Sequence, residues 1–228
     1  MSAVLSVDEM YSIEKNILNK NQNGNFPPDV FNRFNNQAQY DYMSSLLGDI
    51  RKYSLGRPIP PSAWGMTARI RESLTPFIYA PVTIPVNATT GNALLPSDYE
   101  MWDAAYWGSN MDRVKFIQQG RLYSHLNSRI NPIARNPVFM SIYNNLTVYP
   151  KNIGTINLSY IRTPAEIVWA YKLDINGRAV YDPINSVDPE WQRMDCMQIM
   201  ARALRMMGVN LSAAQVSQYA ESIKTTGQ

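Results

Sequence analysis

Two spacings of apolar residues divide this chain into helical ends and an extended centre. Near both termini, apolar residues recur every three or four positions, as on one face of an α-helix. In the centre they alternate with polar residues, as in half-buried β-strands. The pattern predicts an α+β fold, in which N- and C-terminal helices form a helical bundle and a central antiparallel β-rich part contains hairpins.

The same pattern sets the expected boundaries. We expect residues 1–228 to form a single compact unit, which is a usual length for one domain. Its helical part is expected to comprise residues 1–55 and 184–228, and its β-rich part residues 56–183.

The N-terminal part predicts two helices. Ser6 and Glu9 have the spacing of a capping box, so a helix should follow to about Lys20. After "NQNGN", the stretch "PPDVFNRFNNQAQYDYMSSLLGDIRKY" begins a second helix, with proline in its first turn. Apolar residues at both ends of this helix should pack on a neighbour. Its polar middle, "NNQAQ", is expected to be hydrated.

The centre begins with a proline-rich connector, "GRPIPPSAWG", and a short helix around residues 66–74. Extended segments should follow, and Asn144-Asn145 and Asn176-Gly177 are expected hairpin turns because both residue types tolerate positive φ. The predicted strands lie in "FIYAPVTIPVN", "ALLPSDYEMWDAAYWG", "VKFIQQGRLYSHL", "PVFMSIYNNLTVYP", "TINLSYIRTP" and "EIVWAYKLDINGRAVYDP".

The strand in "TINLSYIRTP" alternates regularly. Ile156, Leu158 and Tyr160 should face one side and the polar residues between them the other. This predicts a sheet with one buried face, in which the strand ends at Pro164.

Helices return near the C-terminus. One should start at Asp188-Pro189-Glu190 and end at Gly208 in a left-handed cap, and Ser212 and Gln215 should cap another. The apolar stripe of the first helix is broader than one neighbour would cover, which favours either a core helix or a helix also buried by a second subunit. The candidate subunit-interface residues are Trp191, Met194, Met197, Met200, Leu204 and Met207.

Composition changes this picture little. The single cysteine, Cys196, excludes an internal disulfide and fits a reducing compartment. No run of about 18 apolar residues exists, and the N-terminal residues lack the pattern of a signal peptide. We therefore expect the chain to be cytosolic when it is made.

A net charge of +3 is too small to indicate nucleic-acid binding by itself. One segment is nevertheless basic and contains a single acid, Asp112. It is either a solvated face or a candidate surface for DNA in a channel or for an acidic partner, and its basic residues are Arg113, Lys115, Arg121, Arg129 and Arg135.

No residue pattern indicates catalysis. The only histidine, His125, falls in a predicted strand without a nucleophile motif. The carboxylate pairs Asp98/Glu100 and Asp188/Glu190 are better explained by turns and caps than by acid–base chemistry. Phosphate-binding glycine loops and metal-ligand spacings are missing from the sequence. We predict no enzyme, no catalytic residue, no metal and no cofactor.

The order of several motifs resembles a known family. The stretches "LLPSDYEMW", "ARNPVFMSIYNNLTVYPKNIGTINLSYIRTPAEIVWAY" and "MARALRMMGVNLSAAQVSQYAE" resemble small virion structural proteins of crAss-like phages and related Bacteroides phages, of the neck or tail ring type. The resemblance covers most of the chain from about Leu95 onward, and residues 57–86 match no known pattern.

This resemblance implies a head-to-tail adaptor located in the virion and assembled in the host cytoplasm. It implies a closed ring of identical subunits, a dodecamer, between the portal protein and other neck and tail proteins. DNA would pass transiently through the channel during genome ejection, and no membrane would be involved. Such a ring needs two different complementary surfaces on each subunit.

Two other functions remain open. Trp and Tyr in "MWDAAYW" suit stacking on sugar rings, so the alternative is a carbohydrate- or receptor-binding virion module. An exposed aromatic platform beside Asp or Asn would favour it. A cell-wall hydrolase is the third hypothesis, and it lacks a catalytic constellation in the sequence.

Overall fold

The structure is a computed structural model that describes residues 5–20, 26–52, 61–108, 112–127, 137–142, 145–209, 215, 216 and 218. Helices at both ends of the chain flank a β-rich centre, so the predicted α+β class is confirmed. The helices are α1 (Val7–Lys20), α2 (Pro28–Lys52), α3 (Pro61–Leu74), α4 (Gln119–Leu126) and α5 (Arg193–Met206). The strands are β1 (Ile78–Pro85), β2 (Asn92–Leu94), β3 (Tyr99–Trp107), β4 (Asp112–Arg113), β5 (Lys115–Phe116), β6 (Val138–Ile142), β7 (Asn145–Tyr149), β8 (Thr155–Arg162), β9 (Tyr171–Leu173) and β10 (Ala179–Tyr181).

The contacts divide the chain into two compact units where one was predicted. Unit 1 comprises Met1–Pro76 and Pro164–Gln228, and unit 2 comprises Phe77–Thr163. The β9–β10 hairpin and α3 therefore belong with the terminal helices. The predicted β-rich range, 56–183, included both because local sequence pattern does not reveal which core an element packs on.

In unit 1, α2 packs mainly against α5, and α1 and α3 pack on this pair. The capping prediction at Ser6 is confirmed, because its Oγ accepts a hydrogen bond from the Glu9 N–H at 3.2 Å. The N–H of Val7 is bound by Asp188 Oδ1 at 2.8 Å, across 181 residues of sequence. The start of α1 is therefore satisfied both locally and by the C-terminal part of the chain.

The predicted start of the C-terminal helix was wrong. Helix α5 begins at Arg193 after Gln192, which makes no side-chain capping bond. Asp188 caps α1, and Glu190 Oε2 accepts from the N–H of Ala165 at 2.9 Å. Acidic residues just before a helix resemble a helix cap in the sequence. Here they accept hydrogen bonds from backbone N–H groups that are distant in sequence. Ser212 lies outside the described residues, so its capping box stays a prediction.

The C-terminus of α5 follows the prediction. Gly208 has φ +91°, and the Val209 N–H donates to the Leu204 carbonyl at 2.8 Å.

We expect Gly208→Ala to destabilise the protein by about 1 kcal/mol because an L-residue is strained at this φ. The matched control is Gly48→Ala in α2, where a Cβ meets no atom within 4 Å and the helix gains stability of about 1 kcal/mol. Urea unfolding of both variants measures the two opposite shifts. Equal shifts of one sign would contradict the left-handed assignment.

Unit 2 contains two four-stranded sheets, with strand orders β1-β8-β3-β4 and β2-β7-β6-β5. Their facing sides share one apolar core, to which Ile156 and Leu158 contribute from the first sheet and Phe139 and Val148 from the second. Most pairs are antiparallel as predicted, but β5 pairs with β6 in parallel. Parallel neighbours need a crossover connection, and α4 lies in that connection.

Strand β8 occupies the middle of the first sheet. Ile156, Leu158 and Tyr160 face the shared core, as predicted. Ser159 and Ile161, on the other face, are also buried, so the prediction of one buried side was incomplete. The strand ends at Arg162, just before Pro164. A central strand is covered more fully than its alternating pattern suggests.

The strands of both predicted hairpins pair in antiparallel fashion, although Asn144 of the first predicted turn lies outside the described residues. Strands β6 and β7 pair up to Ile142 and Asn145, which places Asn145 in the strand rather than in the turn. Strands β9 and β10 join through a turn closed by the Gly177 N–H on the Asp174 carbonyl at 2.8 Å, with Gly177 at φ +72°. Glycine fits this turn because positive φ costs it little.

The predicted strand in "VKFIQQGRLYSHL" was largely wrong. Only β5 is extended, and α4 follows from Gln119, so His125 lies on a helix. Helix α3 is longer than the predicted residues 66–74. Part of the proline-rich connector, residues 56–60, lies outside the described residues.

Candidate functional site

The methionine-rich stripe of α5 lies mainly inside unit 1. The side chains of Trp191, Met197, Met200 and Leu204 are buried within the chain, so they are corrected from interface candidates to core residues. Tyr42 packs edge-on against Trp191 at 5.2 Å between ring centroids. Methionines fill this helical core because their side chains adapt to irregular space.

The remaining stripe residues are more exposed. Met194 is 60% exposed and Met207 is half-buried. Met206, which was not among the interface candidates, is also exposed. The exposed methionines Met194 and Met206 lie at opposite ends of α5.

A buried carboxylate, that of Asp195, lies in the first turn of α5. Asp195 Oδ1 accepts hydrogen bonds from Tyr42 Oη at 2.7 Å and Ser73 Oγ at 3.1 Å. Burial and the hydrogen bond to Asp195 raise the pKa of Tyr42. Burial raises the pKa of the adjacent Cys196 thiol to about 12, so this cysteine stays protonated and unreactive. The cluster joins α2, α3 and α5 and is structural.

The polar middle of α2 forms an amide ladder, defined by Asn32, Asn36 and Gln39. These residues are spaced four and three apart on one helix face and bind alternate residues of the extended segment 165–169. Asn32 accepts from the Trp169 N–H at 2.8 Å, and Asn36 accepts from the Ile167 N–H at 2.8 Å. The amide groups donate to the carbonyls of Trp169 (3.3 Å), Ile167 (2.9 Å) and Ala165 (3.1 Å).

The amide ladder hydrogen-bonds to one edge of the segment 165–169, as a neighbouring β-strand would. On its other edge, the same segment pairs with residue 187, since Val168 and Val187 exchange two backbone hydrogen bonds. Gln39 also accepts from Trp191 Nε1 at 3.3 Å and is fully buried. The predicted hydration of "NNQAQ", residues 35–39, was therefore wrong for Asn36 and Gln39, because a buried backbone segment uses their amides.

Glu14 lies fully buried on α1 beside Asn35 of α2. Asn35 Nδ2 donates to Glu14 Oε2 at 3.0 Å, whereas Glu14 Oε1 and Asn35 Oδ1 have no hydrogen-bond partner in the structure. Burial raises the pKa of Glu14 to about 8, and the hydrogen bond from Asn35 lowers it less. In its neutral form, the Glu14 carboxyl group has an O–H that can donate a hydrogen bond to an acceptor without a partner, such as Asn35 Oδ1.

Trp169, two residues before strand β9, is the centre of an aromatic cluster. Its ring stacks on Tyr11 with centroids 4.3 Å apart, and Tyr171 and Tyr181 pack beside it at 6.2 and 5.6 Å. Its Nε1 donates to Asp8 Oδ1 at 3.0 Å. The tryptophan is thus a structural anchor between α1 and the β9–β10 hairpin.

Beside this cluster, a cleft of about 570 Å³ opens between α1 and the β9–β10 hairpin, and we refer to it as the slot. Leu173 and Ala179, which are register partners and share one hairpin face, form part of one wall. Lys15 and Arg178 also line it. Its other lining residues are Asp8, Tyr11, Ser12, Phe26, Pro27, Pro28, Trp169 and Gly177.

Part of the predicted basic surface is exposed on unit 2. Arg113 and Lys115 flank the buried Val114, so alternation along the chain directs both away from the core. Arg121 is exposed on α4. Unit 2 holds seven basic and four acidic residues, against fourteen of each in unit 1, so it carries the whole net charge. Arg129 and Arg135 lie outside the described residues.

Each unit also exposes apolar side chains. In unit 2, the edge strand β1 exposes the β1 surface, defined by Tyr79 and Val82, whose partners Tyr160 and Leu158 lie on one face of the sheet. Ile78, opposite Ile161, is exposed on the other face. No charged residue occurs between Glu72 and Asp98. In unit 1, we use the term hairpin surface for the exposed apolar positions on the hairpin and just after it, Ile175, Val180 and Ile184, of which Ile175 is 97% exposed. Neither surface was predicted above, although the charge-free stretch is a sequence signal for the β1 surface.

Two of the three aromatic residues considered for sugar stacking, Trp102 and Trp107, pack within unit 2. Trp102 stacks on Phe116 at 4.8 Å and meets Phe139 edge-on at 5.4 Å. Trp102 and Trp107 pack against the shared core of unit 2. They do not form the open platform that the carbohydrate-binding alternative requires.

Comparison with protein-family models and with curated protein sequences finds no match. Among the described residues, no helix combines the length and apolarity needed to cross a membrane. Within that same part of the chain, no group of three or more His, Cys, Asp or Glu residues is arranged to hold a metal ion.

Proposed function

We propose that this protein is a structural component of a phage virion that forms a closed ring in the neck, between portal and tail. The observation that carries the proposal is the presence of two different exposed apolar surfaces, the β1 surface on unit 2 and the hairpin surface on unit 1. A ring needs two unlike surfaces on each subunit, because its contacts are head-to-tail. The motif order described above supports the location in a virion.

The character of both surfaces favours protein association. Exposed apolar groups on a monomer commonly mark contact sites. Strand β1 is eight residues long and lies at a sheet edge, where Pro81 and Pro85 restrict pairing with a further strand. Contacts through side chains are therefore favoured over sheet extension.

In this proposal, the ring is a dodecamer of the head-to-tail adaptor type, assembled in the host cytoplasm, and it is not an enzyme. Genome DNA passes through its channel. The exposed Arg113, Lys115 and Arg121 face either that DNA or an acidic partner protein, and weak, salt-dependent contacts would let the genome move.

We expect Ile175→Asp and Val82→Asp each to convert the ring to monomers, because a desolvated carboxylate opposes an apolar contact. Mass photometry and analytical ultracentrifugation measure the oligomer. The matched control is Gln37→Asp, a new carboxylate at an exposed position of α2, which should leave the ring intact.

Mixing the two variants tests the head-to-tail geometry. Each variant retains one intact surface, so an equimolar mixture should form dimers and no larger species. A wild-type protein that stays monomeric at high concentration, or variants that assemble as the wild type does, would refute the proposed function.

A further inference from the structure

We propose that the slot binds an extended segment of another protein in which a carboxylate lies next to a large apolar side chain. The inference rests on the proposed function in one respect: the occupant is taken to be an adjoining protein of the assembly rather than a small metabolite.

The slot exists because the hairpin is anchored only at its base. Tyr171 and Tyr181 pack on the buried Trp169 and hold the first register pair in place. The next pair on that face, Leu173 and Ala179, lines the slot without being buried, and Leu173 is 69% exposed. The hairpin therefore presents apolar side chains to an unfilled space.

A two-stranded hairpin with this exposure lacks support of its own. Isolated two-stranded hairpins are at best marginally stable in water, and packing against another element is what normally fixes them. All residues from Tyr171 to Val180 are exposed, including both strands apart from the last residue of β10. An apolar side chain inserted beside Leu173 and Ala179 would supply the missing packing.

The charges of the lining residues indicate which charged group the bound segment should carry. Lys15 and Arg178 line the slot, and neither forms an ion pair with a described residue. The only carboxylate among the lining residues is that of Asp8, whose Oδ1 already accepts from Trp169 Nε1. The lining thus carries an excess of positive charge, which a carboxylate on the partner would complement.

The slot lies between a helix and a hairpin, and two of its lining side chains, Tyr11 and Phe26, are buried rings that stack on each other. Peptide recognition commonly combines such apolar pockets with a few charged groups that fix orientation. Lys15 and Arg178 are therefore the specificity-determining residues of the slot.

The test uses two fluorescein-labelled peptides on the full chain: Gly-Asp-Leu-Ile-Glu-Gly and its uncharged counterpart, Gly-Asn-Leu-Ile-Gln-Gly. Fluorescence anisotropy should show at least tenfold tighter binding of the acidic peptide. In Lys15→Gln/Arg178→Gln this preference should disappear, and Ala179→Trp, which fills the slot, should block both peptides. The control Arg69→Gln/Arg71→Gln removes two exposed positive charges from α3 and should keep the preference.

Three results would overturn the inference. The first is equal binding of both peptides, and the second is an unchanged preference in Lys15→Gln/Arg178→Gln. The third is loss of the wild-type oligomer in Ala179→Trp without any peptide, which would assign the slot to a second copy of this chain. Ring formation is measured separately by mass photometry, so peptide binding by a protein that forms no ring would refute the proposed function alone.

Discussion

Replacing Asn36 with leucine should lower the free energy of unfolding by about 3 kcal/mol. In the folded protein, the Asn36 amide both donates to and accepts from Ile167, at 2.9 and 2.8 Å. Leucine is similar in size but leaves a buried N–H and a buried carbonyl without partners. Each orphan group costs about 1–3 kcal/mol, which exceeds the benefit of added apolar surface.

The measurement is urea unfolding followed by circular dichroism, with Asn36→Asp and Gln37→Ala as companions. At low pH, where the acid is protonated, Asn36→Asp keeps both an acceptor for the Ile167 N–H and an O–H donor for the Ile167 carbonyl, so it should cost less than leucine. Gln37 is exposed on the same helix, and its replacement should change stability by less than about 0.5 kcal/mol. A leucine variant as stable as the wild type would show that the amide ladder contributes nothing.

Glu14→Gln should make the protein more stable at pH 7 by about 3 kcal/mol and remove part of its pH dependence. The pKa of Glu14 is raised from 4.5 in the unfolded chain to about 8 in the folded chain. The folded state therefore holds a proton that the unfolded state releases. This contribution is fully present below pH 4.5 and is lost as the pH rises through 8.

Glutamine reproduces the neutral form of the acid. Its amide oxygen accepts from Asn35 Nδ2 as Glu14 Oε2 does, and its amide group supplies a donor for the orphan Asn35 Oδ1. Unfolding curves at pH 5 and pH 8 should diverge for the wild type relative to the variant. The exposed Glu72→Gln is the control and should leave the pH dependence unchanged. A constant difference between wild type and Glu14→Gln from pH 5 to pH 8 would contradict the buried neutral acid.

These two cases show where the sequence pattern is ambiguous. Asn32, Asn36 and Gln39 form a polar band at helical spacing, and such a band ordinarily faces water. The extended segment that uses their amides begins about 130 residues later and has no periodic signal of its own. Asp188 is ambiguous for the same reason, since it has the position of a local helix cap and binds the start of α1 instead.

The methionine-rich stripe of α5 shows why a subunit interface is hard to predict from the sequence. A helix covered on several sides by its own unit and a helix covered partly by another subunit have the same broad apolar face. Burial separates the two cases, and it assigns Met197 and Met200 to the core while leaving Met194 exposed. The surfaces that carry the functional proposal are scattered apolar positions on β1 and the hairpin, which do not stand out among other strand residues.

The sequence by itself determined the elements whose stability is local. Helices with spaced apolar residues and caps, such as α1 and the end of α5, and the hairpins with Asn or Gly at their turns follow from backbone preferences acting over a few residues. Only the tertiary structure decided the division into two units, the amide ladder, the neutral Glu14 and the slot. Each of these depends on groups far apart in sequence becoming neighbours, and the energy of burying them is set by what lies beside them in space.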